Sequence, residues 1–224
     1  MFSWIKRKAA PEKRVDVRET LFGDMPLEDW VEHGEDVEPW ESFAEVQDHL
    51  EAGEQTQALE ALKKIVLHPD LESRHYLQAW HVLRQLGARP HASRARTLYG
   101  IVVEVGLDEG LDIVAAYADK TARYYNFTGA GVVWARPDAS LDAEMSALLE
   151  AGAGVVAKIG PWEKERPAPP PKGQARINLL TPSGLHFGQG AFETLAADPL
   201  AGPVLSAASV LLQALITKTG RSVT

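Results

Sequence analysis

Few side chains in this sequence stand at spacings that suit chemistry. The stretch DIVAAYADKTARYYNFTGAGVVW, Asp112 to Trp134, sets Arg123 and Asn126 among the rings of Tyr117, Tyr124, Tyr125 and Trp134. A guanidinium and a carboxamide near Glu104 and Asp112 form a donor and acceptor set for a polar small molecule. His186, in SGLHFGQG, adds an imidazole. Arg123, Asn126 and His186 are therefore the candidate ligand-binding residues, against the plainer reading of a salt-bridged sheet face. Arginine is no general base, so catalysis would need a carboxylate whose pKa its surroundings shift. No catalytic residue is assigned.

Other chemistries fall away on spacing. His68, His75 and His81 lie 7 and 6 residues apart, not at the i, i+4 interval that aims two imidazoles at one metal. His33, His49, His91 and His186 have no ligand partner at close spacing. The chain has no cysteine, which excludes disulfides, thiolate zinc, iron–sulfur clusters and thiol nucleophiles. No metal and no cofactor is expected. SGLHFGQG matches neither GxxxxGK[ST] nor GxGxxG, and no GxSxG occurs. PAPPPK has the spacing of a proline-rich ligand, and a stiff linker explains it as simply.

Charge is unevenly spread. The net of −8 divides into +4 over residues 1–18, −14 over 19–60 and +2 over 61–224. Residues 19–60 hold fourteen Asp and Glu and no Lys or Arg. Without a basic stripe beyond the short tail, nucleic-acid binding is not expected. A partner protein, basic in character, is the expectation, with Trp30, Trp40, Glu35 and Asp36 as candidate contacts. The block also contains Leu21, Phe22 and Phe43, unlike a purely solvating tail. Its rings are expected to pack on the protein's own helices with the carboxylates outward, and deletion of residues 1–36 to leave the body folded. Phe2, Trp4 and Ile5 precede a basic cluster and give at most a weak contact with a membrane surface. No secretory pattern is read and no stretch is judged long enough to span a bilayer, so a cytoplasmic setting is expected.

The elements that must position these residues follow from periodicity. EPWESFAEVQDHLEAGE, QTQALEALKKIVLHPD and ESRHYLQAWHVLRQLGARP read as amphipathic helices with apolar stripes at Trp40/Phe43/Val46/Leu50, Leu59/Leu62/Val66 and Tyr76/Trp80/Leu83. From Leu98 the pattern changes to four strands of an antiparallel meander. A helix opened by Ser140 with Glu144 as a capping box comes next. A proline-rich connector over 160–173, two strands and a buried last helix complete the chain. Two-residue turns at Asp119-Lys120 and Gly129-Ala130 would pair Val114, Tyr125 and Trp134 in one row, set Arg123 opposite Arg136 and give Lys120 a positive φ. The fold class is α+β: an N-terminal helical hairpin layer, then a β-meander sheet with packed helices. The division is a tail over 1–20, a helical region over 21–97 and an α+β domain over 98–224.

LEAGEQTQALEALKKIVLHPD resembles the turn and second helix of a tetratricopeptide repeat. Gly53 recurs at Gly87 and Ala58 at Ala92, 34 residues on, the period of that repeat. Pro69 falls one position off and HASRARTLYG lacks the large apolar residue, so about one and a half units fit where three normally stand alone. The resemblance implies a hairpin layer resting on another body. From Leu98 on, GIVVEVGLDEGLDIVAAYADKTARYYNFTG and FGQGAFETLAADPLAGPVL resemble a family of uncharacterised bacterial proteins, whose members often carry Gly where this chain has Lys120. That resemblance implies no activity. Two readings of function stand: a non-catalytic interaction or adaptor protein, or a small-molecule-binding domain or hydrolase-type enzyme with a pocket near Arg123, Asn126 and His186. The oligomeric state is open.

Overall fold

The structure is a computed structural model that describes residues 18–32 and 37–219. The basic tail with Phe2, Trp4 and Ile5, and the candidates Glu35 and Asp36, lie outside the described residues. The order is α1 (Glu19–Phe22), α2 (Leu27–Glu32), α3 (Trp40–Glu51), α4 (Gln55–Leu67), α5 (Ser73–Gln85), α6 (Ala92–Ala95), then β1 (Gly100–Gly106), β2 (Leu111–Tyr117), β3 (Ala122–Tyr125) and β4 (Gly131–Trp134). α7 (Asp142–Val156), β5 (Gln174–Thr181), β6 (Gly184–Ala191), α8 (Phe192–Ala197) and α9 (Ala201–Thr219) complete it. This is the expected α+β class. The six strands form one antiparallel sheet in the order β4-β3-β2-β1-β5-β6.

Strict alternation gives the sheet two unlike faces. Ile101, Val103, Val114, Tyr124, Trp134, Ile177 and Leu179 point to one side and pack under α7 and α9. On α9, Val204, Ala208, Leu211 and Leu215 form the inner stripe. By length and composition α9 is also apolar enough to cross a membrane, contrary to the expectation from sequence. Gly152 sits on the inner face of α7. A Cβ there would collide with Ile101 Cδ1, so the glycine lets the helix lie close on the sheet. The capping box at Ser140 does not form: α7 begins after Leu141 without a side-chain cap, and Ser140 N instead donates to Asp138 Oδ1 at 2.8 Å.

The other face carries Val102, Ile113, Ala115, Tyr117 and Leu180 under α1 and Leu77 of α5. The start of the acidic block is thus part of the core: Leu21 is fully buried, and Tyr117 Oη donates to its carbonyl at 2.8 Å. Gln78 Nε2 donates to Met25 O at 2.8 Å in the same way. Deleting residues 1–36 would remove Leu21 and Phe22 from this face, so the structure leads us to expect a destabilised body from that deletion rather than an intact one. Gly100 and Gly131 lie opposite Tyr117 and Tyr125, whose rings fill the space a Cβ would need.

Beyond α5 the helices have their own core of Trp30, Phe43, Val46, Ala58, Leu62, Ile65, Val82 and Leu83. The stripes on α4 and α5 are rotated from those expected. On α4 the deep residues are Ala58, Ala61, Leu62 and Ile65, and on α5 they include Leu77, Ala79, Val82 and Leu83, with Tyr76 and Trp80 half-buried. The cause is sandwiching: α4 packs on both α3 and α5, and α5 meets α4 on one side and α1 with the sheet on the other.

Strand register also differs. The turn after β2 spans three residues, Ala118 to Lys120, closed by Tyr117 N on Thr121 O, with Lys120 at φ 66 as the left-handed residue. The next connection runs over 126–130. Tyr124 therefore joins Val114 and Val132, while Trp134 faces Ala122. Arg123 faces Ala115 and Val133, and the clash with Arg136 never arises.

Candidate functional site

The three ligand candidates do not converge. Arg123 on β3 and His186 on β6 are separated by β2, β1 and β5, a distance of about 19 Å at ordinary strand spacing. They also face opposite ways: His186 pairs with Leu179 on the α7/α9 side, whereas Arg123 lies beneath α5. Arg123 reaches Glu72 Oε2 at 3.7 Å and stands over the Tyr117 ring. Asn126 organises its own loop, its Oδ1 accepting from Thr128 N, Thr128 Oγ1 and Ala130 N. Asp112 accepts from Phe127 N and Tyr124 Oη.

His186 is fully buried, and burial lowers its pKa despite a hydrogen bond from Nδ1 to Ile159 O. Nε2 of the neutral ring then accepts from Ser183 Oγ at 3.2 Å, and Ser183 Oγ also contacts Thr181 Oγ1 at 2.8 Å. The chain has the shape of a serine–base–orienter relay. Its natural oxyanion donor is missing, because Ser183 N donates to Ala95 O. Thr181 Oγ1 further donates to Gly184 O, so the group locks the β5–β6 turn.

A cluster absent from the expectations occupies the same face as Arg123. Glu104 on β1 is fully buried and lies opposite Arg176 on β5. Arg18 Nε donates to Glu104 Oε1 at 2.5 Å, Asn178 Nδ2 to Oε2 at 3.0 Å, and Arg176 Nη1 lies 3.6 Å from Oε2. Both arginines continue outward to the connector: each donates to Pro167 O, and Arg176 also to Ala168 O. Arg166, on the same connector, pairs with Asp24 and Glu19 and lies with its Cζ 4.2 Å from the Phe22 ring centroid. Its pKa is raised, burial notwithstanding, by those two carboxylates. The network ties together the N-terminal segment, the connector and the sheet.

Beside this network a cleft of about 650 Å³ opens between α5, the Gly23–Asp24 turn, connector residues 161–166 and the β5–β6 turn. Leu180, Leu185 and the half-exposed Trp162 ring give it apolar walls. Arg84 lines it, donating through Nη1 to Pro182 O at 2.8 Å, and burial holds its pKa down to about 10 although Asp24 opposes the shift.

Trp30 and Trp40 are 5.1 Å apart between ring centroids and pack with Phe43 and His75. Trp30 is buried and Trp40 half-buried, so the rings serve the helical core. Outside them α3 shows solvent a different stripe: Glu41, Glu45, Asp48 and Glu51 are all exposed, at steps of four, three and three. A shallow hollow of about 460 Å³ lies at the nearby helix ends, between Leu50, Gly53, Gln55 and Leu86. Among the described residues no group of three or more His, Asp or Glu stands ready for a metal ion.

Set against models of protein families, curated proteins and solved structures, the chain matches none of them.

The Glu104 network had a readable signal. GIVVEVG and QARINLLT each place charge inside an otherwise apolar strand, and antiparallel pairing brings those charges together. Arg84 and Ser183 had none, because a helix and a hairpin turn about 100 residues apart in the chain supply them.

Proposed function

We propose that the protein is a non-catalytic interaction module whose helical layer receives a basic protein partner. The carrying observation is the division of the acidic block. Leu21, Phe22, Trp30 and Phe43 are buried, while the carboxylates of Glu41, Glu45, Asp48 and Glu51 form an exposed stripe along α3. No Lys or Arg occurs between residues 19 and 60, so among the described residues of α2 and α3 the stripe meets no guanidinium or ammonium, only the imidazole of His49 at 3.6 Å from Glu45 Oε1. Exposed like charges of this kind contribute little to folding and repel one another. They do steer association with an oppositely charged surface. The side-by-side helices α3, α4 and α5, of tetratricopeptide type in this reading, supply a rigid base.

The test is affinity capture of a partner from a lysate of the source cells by the full chain, followed by rebinding of the purified pair. Binding is expected to weaken as salt rises from about 0.05 to 0.3 M, since screening shortens the reach of exposed charges. Substituting Lys at Glu41, Glu45, Asp48 and Glu51 together is expected to abolish it without lowering the melting temperature. Binding indifferent to salt, or retained by that variant, would remove this reading.

A further inference from the structure

We propose that the cleft beneath α5 binds a small organic oxyanion, a carboxylate or phosphate carried on an apolar or aromatic body. The argument begins with Arg84. Of its nitrogens only Nη1 has a protein partner, the Pro182 carbonyl. Nε and Nη2 have none among the described residues, and neither belongs to the buried unpartnered atoms, so that edge of the guanidinium reaches solvent. The Nε/Nη2 edge is one that grips a carboxylate or phosphate with two parallel hydrogen bonds. The Pro182 contact fixes the plane of the group in advance, which reduces the ordering that binding demands.

Charge around it points the same way. Arg89 lines the cleft and makes only long contacts, 3.4 Å, to the Arg84 and Ala88 carbonyls. Lys164 stands over the Trp162 ring with its nitrogen 5.6 Å from the centroid. Neither Arg84, Arg89 nor Lys164 has a carboxylate ion pair among the described residues. Of the acids that also line the cleft, Asp24 acts on Arg84 from a distance, and none is in ion-pair contact with these three cations among the described residues. Asp24 is committed to Arg166 through two hydrogen bonds, and Glu163 and Glu165 are exposed on the outer connector. His81 in the same wall is kept neutral by burial and takes a hydrogen bond from Gln85. A partly desolvated guanidinium with no carboxylate in contact is an unfavourable arrangement that an incoming anion relieves.

The remaining walls select the rest of the ligand. Leu180 and Leu185 form an apolar floor, and Trp162 offers a flat ring at the mouth. The volume lies within the range of pockets that enclose small molecules. An inorganic ion would leave this surface wet, whereas an aromatic carboxylate or phosphate ester covers it while its charge meets Arg84.

Four probes that share a phenyl ring test this with the full chain: benzoate, phenyl phosphate, neutral benzamide and cationic benzamidine, each titrated by calorimetry. Benzoate or phenyl phosphate is expected to bind saturably, and which is tighter tells a carboxylate from a phosphate site. Benzamide and benzamidine are expected to bind at least about tenfold more weakly, the worth of a charge-assisted hydrogen bond. Arg84→Gln should weaken the preferred probe about tenfold or more, and Arg89→Gln, at an exposed position that carries no part of the fold, by several-fold. Quenching of tryptophan fluorescence by the probe should vanish in Trp162→Phe. Lys63→Gln, on α4 and away from the cleft, should change nothing. Equal binding of all four probes, no saturable binding of any, or affinity untouched in both arginine variants would overturn the proposal.

Discussion

The two faces of the sheet are covered in opposite ways, the larger apolar cluster lying under α7 and α9 and the smaller one under α1 and α5. Under α7 and α9 the contacts are apolar, and each large side chain taken from water contributes roughly 1.5–3 kcal/mol whatever its neighbours do. Under α1, α5 and the connector, Glu104, Arg176, Arg18 and Asn178 must find one another in a single arrangement. Buried charges of this sort seldom raise stability above what a well-packed apolar set would give. Their effect is to make one placement of the N-terminal segment far better than its alternatives. The apolar face makes the domain stable, and the charged face decides where the N-terminal segment and the connector go.

The largest effects come from a matched pair of truncations. Trp134→Ala on the apolar face and Glu104→Ala on the charged face are each expected to cost about 3–5 kcal/mol, measured by urea unfolding. Rescue separates them. Replacing Arg18 and Arg176 by Met alongside Glu104→Leu should restore most of the second loss, because it removes the stranded cations. No second substitution of that kind refills the space left by Trp134. If the triple variant is no better than Glu104→Ala, the two faces do not differ as described.

Acid should distinguish the regions next. Burial lowers the His75 pKa from 6.5 to about 4, against the pull of Glu72 and Asp119 and helped by Arg74 and Arg123. The unfolded chain takes up that proton near pH 6.5, the folded one only near 4. Stability is therefore full above pH 6.5 and falls by on the order of 1–3 kcal/mol between 6.5 and 4. Glu72, lowered overall by Arg74 and Arg123 although burial opposes them, extends the loss below pH 4.5. His75→Phe is expected to flatten the upper part of that limb. An unchanged acid limb would show that His75 is not held neutral.

Smaller effects are expected where backbone decides. A Cβ on Gly106 would strike the Pro171 carbonyl, so Gly106→Ala should displace the connector and cost about 1–3 kcal/mol. Lys120→Gly should gain about 0.5 kcal/mol by relieving the left-handed residue, less the loss of its 2.7 Å hydrogen bond to Ser146. Both are read as shifts in denaturant midpoint at constant slope.

Element types and order were legible because period and turn residues are local properties: the change at Leu98 precedes the first strand at Gly100. Register was not, because a turn of three residues in place of two after β2, and a connection of five in place of two after β3, move every partner, and nothing in ADK or NFTGA announces loop length. The site was least legible. Arg123 and His186 looked equivalent in sequence, yet strand order and side-chain alternation put them on opposite faces. The face taken by α4 could not be read either, since a helix packed on two sides has no single apolar stripe.

The ties between Arg18 and the connector also set a timetable. Arg18 leaves the ribosome 149 residues ahead of the Pro167 carbonyl it binds. At ordinary translation speed that is a wait of roughly 7–30 s. The core of α3, α4 and α5 can close during this interval from residues already made. Leu21 and Phe22 cannot settle, because Leu180 and Leu185 of their pocket come later still. The segment with Arg18, Leu21 and Phe22 is thus made well before the strands it packs on, and the Phe22 ring is open to chaperones or to premature association for all of that time.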